Sequence, residues 1–157
     1  MFGEVSVLHI PSDKHFIHGS IFMLANRLQT IGDRISGEIT SKQWFLLMMI
    51  GNLPDDPAIS RVAQTVGSSR QNTAKMLGQL EKKGCVVLQT DPQDHRSRTV
   101  RLTEKSRDLL AQYSRVGARF IDEMFEGVSD EQISCTKQVI LQLFDNMEAM
   151  EQNGEEK

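Results

Sequence analysis

The fold is decided by a stretch from Ser68 to Thr103, which reads SSRQNTAKMLGQLEKKGCVVLQTDPQDHRSRTVRLT. Its first half predicts a basic helix, because Ser68-Ser-Arg-Gln71 has the form of a capping box and Gly84 is a typical helix stop. Its second half predicts a β-hairpin, in which two β-branched segments flank the turn-forming pair Asp91-Pro92. A helix fits the major groove of duplex DNA, and a basic hairpin can reach the neighbouring minor groove. The stretch therefore indicates binding to double-stranded DNA.

The distribution of charge supports this interpretation, although the net charge of −3 does not. Residues 61–105 contain nine Lys or Arg and four Asp or Glu, so that this segment carries +5 and the rest of the chain −8. Contacts to phosphate depend on local positive charge. The asymmetry indicates a basic surface on an otherwise acidic protein.

Two helices are expected before this stretch, one amphipathic and one apolar on nearly every side. From about Lys14, apolar residues recur at spacings of four and three, which predicts an amphipathic helix that ends near Gly37. A capping box at Thr40-Ser-Lys-Gln43 then opens a helix that is apolar on nearly every side and stops at Gly51. This second helix should lie at the centre of the fold.

A short helix from Ile59 to Val66, closed by Gly67, precedes the basic helix and completes a helix-turn-helix pattern. After the hairpin, Thr103 is expected to cap a long helix that Gly127 breaks. The run Ser129-Asp-Glu-Gln132 opens the last helix, which has apolar residues at seven-residue intervals. The fold class is therefore mostly α with a small β-wing.

The outer helices carry more apolar surface than one small winged module can cover, which predicts an isologous homodimer. A monomeric helical bundle is the alternative. The expected parts are an N-terminal arm and dimerisation helix over 1–37, a winged helix-turn-helix DNA-binding domain over 38–103, C-terminal dimerisation helices over 104–150 and a disordered acidic tail over 151–157.

The first turns of the basic helix carry side chains suited to reading DNA. Gln71 and Asn72 can form paired hydrogen bonds to adenine, and Arg70 can pair with guanine. The hydroxyls of Ser68 and Ser69 suit phosphate, and Lys75 is one turn further along. The alternative for Ser68 and Gln71 is that they only cap the helix.

Several segments resemble the MarR-type transcriptional regulators. They are Ile39-Thr-Ser-Lys-Gln-Trp-Phe-Leu-Leu, Ile59-Ser-Arg-Val-Ala with Val66-Gly67, Leu80-Glu-Lys-Lys-Gly-Cys-Val, Asp91-Pro-Gln-Asp-His-Arg-Ser-Arg and Val100-Arg-Leu-Thr103. They occur in the order of that family over roughly residues 17–150. His95 and Ser106 depart from its usual Arg and Gly. The resemblance implies a dimeric regulator, usually a repressor relieved by a small phenolic or aromatic acid.

The resemblance also assigns residues. It implies that Arg96 enters the minor groove and that Asp94 orients its guanidinium, while Arg98 suits a phosphate. A solvated charged turn is the alternative. It further implies a pocket near the first, second and long helices, for which the candidate lining is Phe22, Trp44, Met48 and Phe120. These four side chains could equally be core.

Other functional classes have less support. No Gly-rich phosphate loop, nucleophilic triad or metal cluster is present in the sequence, so neither an enzyme nor a cofactor is expected. His9, His15 and His18 are interpreted as surface histidines rather than metal ligands. No segment resembles a signal peptide or membrane span, which predicts a cytoplasmic protein.

The function predicted from the sequence is therefore a dimeric, sequence-specific DNA-binding transcriptional regulator, a repressor that a small aromatic effector relieves. Its partner is double-stranded DNA with a pseudo-palindromic operator. One alternative is a dimeric interaction module of the same fold without DNA binding. Another is a redox-sensing regulator that acts through Cys85 or Cys135.

Overall fold

The computed structural model describes residues 11–35, 37–54, 56–91 and 97–155. The chain is mostly α-helical with one two-stranded antiparallel sheet, as the sequence predicted. In chain order its elements are α1 (Asp13–Ile35), α2 (Ser41–Gly51), α3 (Ile59–Thr65), α4 (Arg70–Lys82), β1 (Val86–Thr90), β2 (Arg98–Leu102), α5 (Glu104–Met124) and α6 (Asp130–Glu155). They fall into two compact units, residues 1–114 and 115–157, with α5 beginning in the first and ending in the second.

The first unit is built around a core of aliphatic side chains from the central helices and the sheet. The predicted central helix, α2, contributes Leu46 and Leu47, which are fully buried. The other core side chains include Val62 of α3, Leu77 and Leu80 of α4, Val86 of β1 and Val100 of β2. Burial of such side chains, at about 1.5–3 kcal/mol each, is what fixes α4 and the hairpin on one rigid base.

The hairpin is in the register that its alternating pattern requires. Val86 pairs with Leu102 at the base and Thr90 with Arg98 toward the tip. The segment before α3 adds one bridge to the outer side of this sheet, between Ala58 and Thr99. The wing is thus joined to the helix-turn-helix by backbone pairing as well as by chain connection.

Three of the predicted helix starts have the expected caps. Thr40 and Gln43 form a reciprocal capping box at α2, and Ser129 and Gln132 form another at α6. The hydroxyl of Thr103 accepts from the backbone N–H of Ser106 at the start of α5 (3.3 Å). A cap satisfies amides that the helix itself leaves unpaired, so these residues define where each helix begins.

The cap of α4 lies one residue later than predicted. Ser69 is the N-cap, and its hydroxyl accepts from the backbone N–H of Asn72 (3.2 Å). Two adjacent serines can each cap a helix, and the sequence pattern selected Ser68 because Gln71 stands three residues after it. The capping box at Ser68-Ser-Arg-Gln71 was therefore wrong.

The helix α1 packs on the start of α2 through a close backbone approach at Gly32. A side-chain carbon at that position would lie 2.6 Å from Cβ of Ser41. One carboxylate oxygen of Asp33 accepts from both the backbone N–H (2.7 Å) and the hydroxyl (2.8 Å) of Ser41. Apart from this junction, the apolar seam of α1 is uncovered: no residue of the helix is buried.

In the second unit, α6 continues to Glu155, beyond Met150 where the sequence predicted that it would fray. Glu151 and Gln152 favour helix even without packing, whereas Asn153 and Gly154 do not, so propensity accounts for only the first part of this extension. The side chains of 151–153 are exposed. In the described part of the chain, none of the helices is apolar over a length that could cross a membrane.

Candidate nucleic-acid interface

The helix α4 presents one buried and one exposed face. Thr73, Leu77 and Leu80 are fully buried against the core. Because these residues are spaced by four and three, the opposite face is turned to solvent. Arg70, Gln71, Asn72 and Lys75 are all exposed, but helical periodicity places only Gln71, Asn72 and Lys75 on the side away from the buried residues, with Arg70 at the edge of the buried face.

The hydrogen bonds at the start of α4 show which side chains cap this helix. The side-chain amide of Asn72 donates to the hydroxyl of Ser68 (3.0 Å), while Ser69 caps the helix. Gln71 stands at the second helical position and takes no part in the cap. The structure therefore does not support the alternative in which Gln71 caps the helix, and the contact of its exposed amide with a base edge stays a prediction.

A shallow depression of about 270 Å³ lies between the start of α2 and the exposed face of α4. Lys42 and Lys75 lie on its two sides, and Asn72 is part of the lining. Two ammonium groups beside a helix that can enter the major groove suit the phosphates along the groove edge. Lys42 thereby joins the candidate interface.

Gln43 fixes the start of α2 against the end of α4, a role that the sequence did not indicate. Its side chain is 4% exposed, and its Oε1 accepts from the backbone N–H of Thr40 (3.2 Å) and from Nζ of Lys83 (3.0 Å). Its Nε2 donates to Oε1 of Gln79 (3.1 Å). A buried amide with its hydrogen bonds made holds both helices in one geometry.

Two of the basic residues counted in the segment 61–105 serve the fold. Lys83 also donates to the backbone carbonyl of Glu38 (2.8 Å). Lys105 forms an ion pair with the Glu38 carboxylate, and this hydrogen bond raises the pKa of Lys105 above its ordinary value. The surface available to phosphate is therefore smaller than the sequence count suggests.

The wing is held on α4 by a side chain that accepts a backbone hydrogen bond. Oε1 of Glu81 accepts from the backbone N–H of Leu88 on β1 (3.1 Å). Arg98 is exposed at the tip end of β2, and its contact to phosphate stays a prediction. The other two wing residues of the prediction, Asp94 and Arg96, lie outside the described residues.

A second basic residue of the wing, Arg101, is paired within the protein. Its guanidinium contacts the carboxylate of Asp56, with Nε donating to Oδ1 (2.8 Å) and to Oδ2 (3.1 Å). These hydrogen bonds lower the pKa of the Asp56 carboxyl below its ordinary value. Neither residue was singled out by the sequence, because 45 positions separate them.

The four candidate ligand residues are not gathered into either of two cavities found in the first unit. Trp44 and Met48 are half-buried on α2, and Phe22 on α1 is exposed, with its ring edge-on to His18 at 5.3 Å between centroids. Phe120 belongs to the second unit. The depression beside α4 and a smaller cavity of about 190 Å³ at the base of the wing are lined by other residues. The ligand site stays a prediction.

The two cysteines differ in environment. Cys85 is fully buried, and this burial raises the pKa of its thiol above the ordinary value. Because the thiolate is the reactive form, the geometry argues against Cys85 as a redox sensor. Cys135 is exposed on α6.

Within residues 11–35, 37–54, 56–91 and 97–155, no three His, Cys, Asp or Glu side chains are grouped closely enough to hold a metal ion. His15 and His18 are both exposed on α1. His9 lies outside the part of the chain that the structure describes. The described residues thus contribute no metal centre to the candidate interface.

Comparison with known proteins identifies the architecture. Residues 38–97 match the model of the MarR family. The MarR protein from Peptoclostridium difficile superposes with a TM-score of 0.81 at 20% identity, over 92% of this chain and 93% of that one. Streptococcus pneumoniae FabT, solved in complex with DNA, gives 0.66 at 22% identity over 88% and 99%. The organohalide-sensing regulator RdhR-CbdbA1625, solved with 2,4-dichlorophenol bound, gives 0.76 at 14% identity over 89% and 88%.

Proposed function

We propose that the chain is a MarR-type transcriptional regulator, a homodimeric repressor that binds a pseudo-palindromic operator, because residues 38–97 match the model of that family and most of the chain shares its fold. In each protomer α4 enters the major groove, and the wing reaches the adjacent minor groove. The protein acts in the cytoplasm, where it would meet such DNA.

One observation carries this proposal: Gln71, Asn72 and Lys75 are exposed on the side of α4 away from its buried residues, and Arg70 is exposed at the first helical position. Amide and guanidinium groups are the side chains that discriminate bases in the major groove. Lys75, together with Lys42 across the depression, provides charge for the phosphates on either side. Ser68 and Ser69 lie at the helix start, where hydroxyls suit a phosphate.

At the wing, Arg98 is the proposed phosphate contact. Arg96 is the proposed minor-groove residue and Asp94 the proposed partner that orients it, as the resemblance to MarR-type regulators implies. A guanidinium gains from the negative potential of a narrow minor groove. The contacts to phosphate make the affinity fall steeply with salt, because bound counterions are released.

The uncovered apolar side chains of the outer helices support the homodimer. On α1, six aliphatic residues with the predicted spacing are between 39% and 56% exposed: Ile17, Ile21, Leu24, Leu28, Ile31 and Ile35. On α6, Phe144, Met147 and Met150 are more than half exposed. Apolar surface of this extent marks an interaction site, and a second copy of the chain buries it symmetrically.

A small aromatic molecule is the proposed effector. RdhR-CbdbA1625, which shares the fold, was solved with 2,4-dichlorophenol bound. In this chain Trp44, Met48, Phe22 and Phe120 are the candidate contacts. The buried indole N–H of Trp44 has no hydrogen-bond partner within the described residues, and a polar atom of an effector would satisfy it.

The proposal is tested by selecting genomic fragments that the purified protein retains, followed by gel-shift titration of the enriched duplex. We expect Asn72→Ala and Arg96→Ala to weaken binding by about 1–3 kcal/mol each. Lys137→Ala, which removes one exposed positive charge from α6, is the matched control and should bind like the wild type.

Undiminished binding by both Asn72→Ala and Arg96→Ala would overturn the roles assigned to these two residues. Failure to enrich any fragment would favour an interaction module without DNA binding.

A further inference from the structure

Arg101 and Arg98 both lie on β2 of the basic wing, but their side chains point to opposite faces of the strand. The two residues are three positions apart, and side chains at odd separations point to opposite faces of a strand. The Arg101 side chain is 54% exposed, but two of its atoms are bound to the carboxylate of Asp56. Its charge is thus opposed by a carboxylate in direct contact.

Asp56 belongs to the segment that leads into α3. Its φ of +51° lies in the left-handed region, which Asp and Asn tolerate better than most residues. Immediately after it, the carbonyl of Pro57 accepts from the backbone N–H of Val100 (3.0 Å), and Ala58 bridges to Thr99. The ion pair therefore closes one end of a short ladder between this segment and β2.

This ladder joins the two parts that must meet DNA together. The segment 56–58 leads directly into α3, the first helix of the helix-turn-helix, whereas β2 is half of the wing. The relative orientation of α4 and the wing decides whether both grooves can be reached at once. A wing that is free to move before binding must be ordered when both grooves are engaged, which weakens binding although the complex makes the same contacts to the duplex.

We infer that Arg101 is a positioning residue, which acts through Asp56 to fix the wing against the helix-turn-helix, and that it is not a phosphate contact. This inference rests on the proposed DNA-binding function. It opposes the simple expectation that every arginine of a basic wing contributes charge to the duplex. The two roles predict opposite effects when Asp56 loses its charge.

The decisive variant is Asp56→Asn, which keeps the left-handed preference and the shape of the side chain but removes its charge. If Arg101 contacted phosphate, this change would release its guanidinium and strengthen binding. If Arg101 positions the wing, the change weakens binding to the selected duplex, by about twofold to fivefold. Arg101→Gln should weaken it to a similar extent, and the double variant should be no weaker than the single ones.

The salt dependence supplies a readout that a purely structural role leaves unchanged. Affinities are measured by fluorescence anisotropy between 50 and 200 mM salt, with thermal unfolding to show that each variant is folded. Arg98→Gln, the matched control on the same strand, should lower the slope of log affinity against log salt by about 1. Asp56→Asn and Arg101→Gln should retain the wild-type slope.

The outcomes separate this inference from the function on which it rests. If the wild type enriches no duplex, the proposed function fails and the inference fails with it. If the wild type binds but Asp56→Asn binds more tightly, or Arg101→Gln lowers the salt slope as Arg98→Gln does, Arg101 is a phosphate contact and the inference alone is overturned. Unchanged binding by Asp56→Asn would also overturn it, because the ion pair would then not position the wing. Additive losses in the double variant would also contradict it.

Discussion

Asp33 is the residue through which pH should act on the junction of α1 and α2. Hydrogen bonds from the backbone N–H and the hydroxyl of Ser41 lower the pKa of its carboxyl below the ordinary value of 3.8. Because the folded pKa is depressed, the stabilisation is complete above the unfolded value and is lost as the pH falls through the folded one. We expect the thermal midpoint to fall on acidification below pH 3.8 and Asp33→Asn to show a smaller fall. Equal falls in both proteins would show that the contact contributes nothing.

The two thiols should react with very different rates in the native protein. Cys85 is fully buried and the pKa of its thiol is raised, whereas Cys135 is exposed. We expect a thiol reagent to modify the exposed Cys135 rapidly and the buried Cys85 only when the protein unfolds. Mass mapping of the labelled peptides, with Cys135→Ser as control, checks the assignment. Rapid modification of Cys85 in the folded state would reopen its role as a sensor.

At the scale of the element, the contact of α1 with α2 depends on the missing side chain of Gly32. An alanine there would place its Cβ 2.6 Å from Cβ of Ser41, which the backbone must relieve by moving. We expect Gly32→Ala to destabilise the protein by roughly 1–3 kcal/mol, as overpacking does. The measurement is the free energy of unfolding in urea.

Gly19 of the same helix provides the matched control. Nothing lies within 4 Å of the position that its Cβ would take. Gly19→Ala should therefore stabilise the helix by up to about 1 kcal/mol, through the higher helix propensity of alanine. Destabilisation of equal size at both positions would show that the close approach at Gly32 is not the cause.

The elements themselves were predictable from local signals. The capping box at Thr40 and Gln43 and the cap at Thr103 mark helix starts that the structure confirms, because a cap involves only neighbouring residues. The start of α4 was misplaced by one residue where two serines compete. The capping-box pattern identified only one of the two roles of Gln43. Its side chain also donates a hydrogen bond to Gln79 of α4, a contact that local sequence does not indicate.

The contacts that set elements relative to one another were not predictable. The pairs Asp56–Arg101 and Glu38–Lys105 join residues 45 and 67 positions apart, and nothing in either local segment indicates its partner. Counting Lys and Arg in the sequence therefore overestimated the positive charge available to DNA, because Arg101 and Lys105 are paired with carboxylates of the protein. For the candidate site, it did predict the exposed residues of α4, since these follow from helical periodicity alone.

At the scale of the whole molecule, the homodimer should depend on the exposed apolar side chains of α6. Phe144 is 65% exposed in the single chain, and the second copy of the proposed homodimer would bury it. We expect Phe144→Asp to shift the protein toward monomer, because an unpaired carboxylate would enter an apolar interface. Sedimentation equilibrium measures the shift, with Gln142→Asp as the control on the same helix. A monomeric wild type would refute the homodimer.

DNA binding by a two-fold pair of α4 helices is the central claim, and a hydroxyl-radical footprint on a duplex enriched by the protein tests it most directly. Two reading helices related by symmetry should protect two stretches whose centres are about 10 base pairs apart. At the lowest protein concentration that gives full protection with the wild type, Asn72→Ala should lose both protected stretches together. A single unpaired footprint, or protection that persists in Asn72→Ala, would contradict the account.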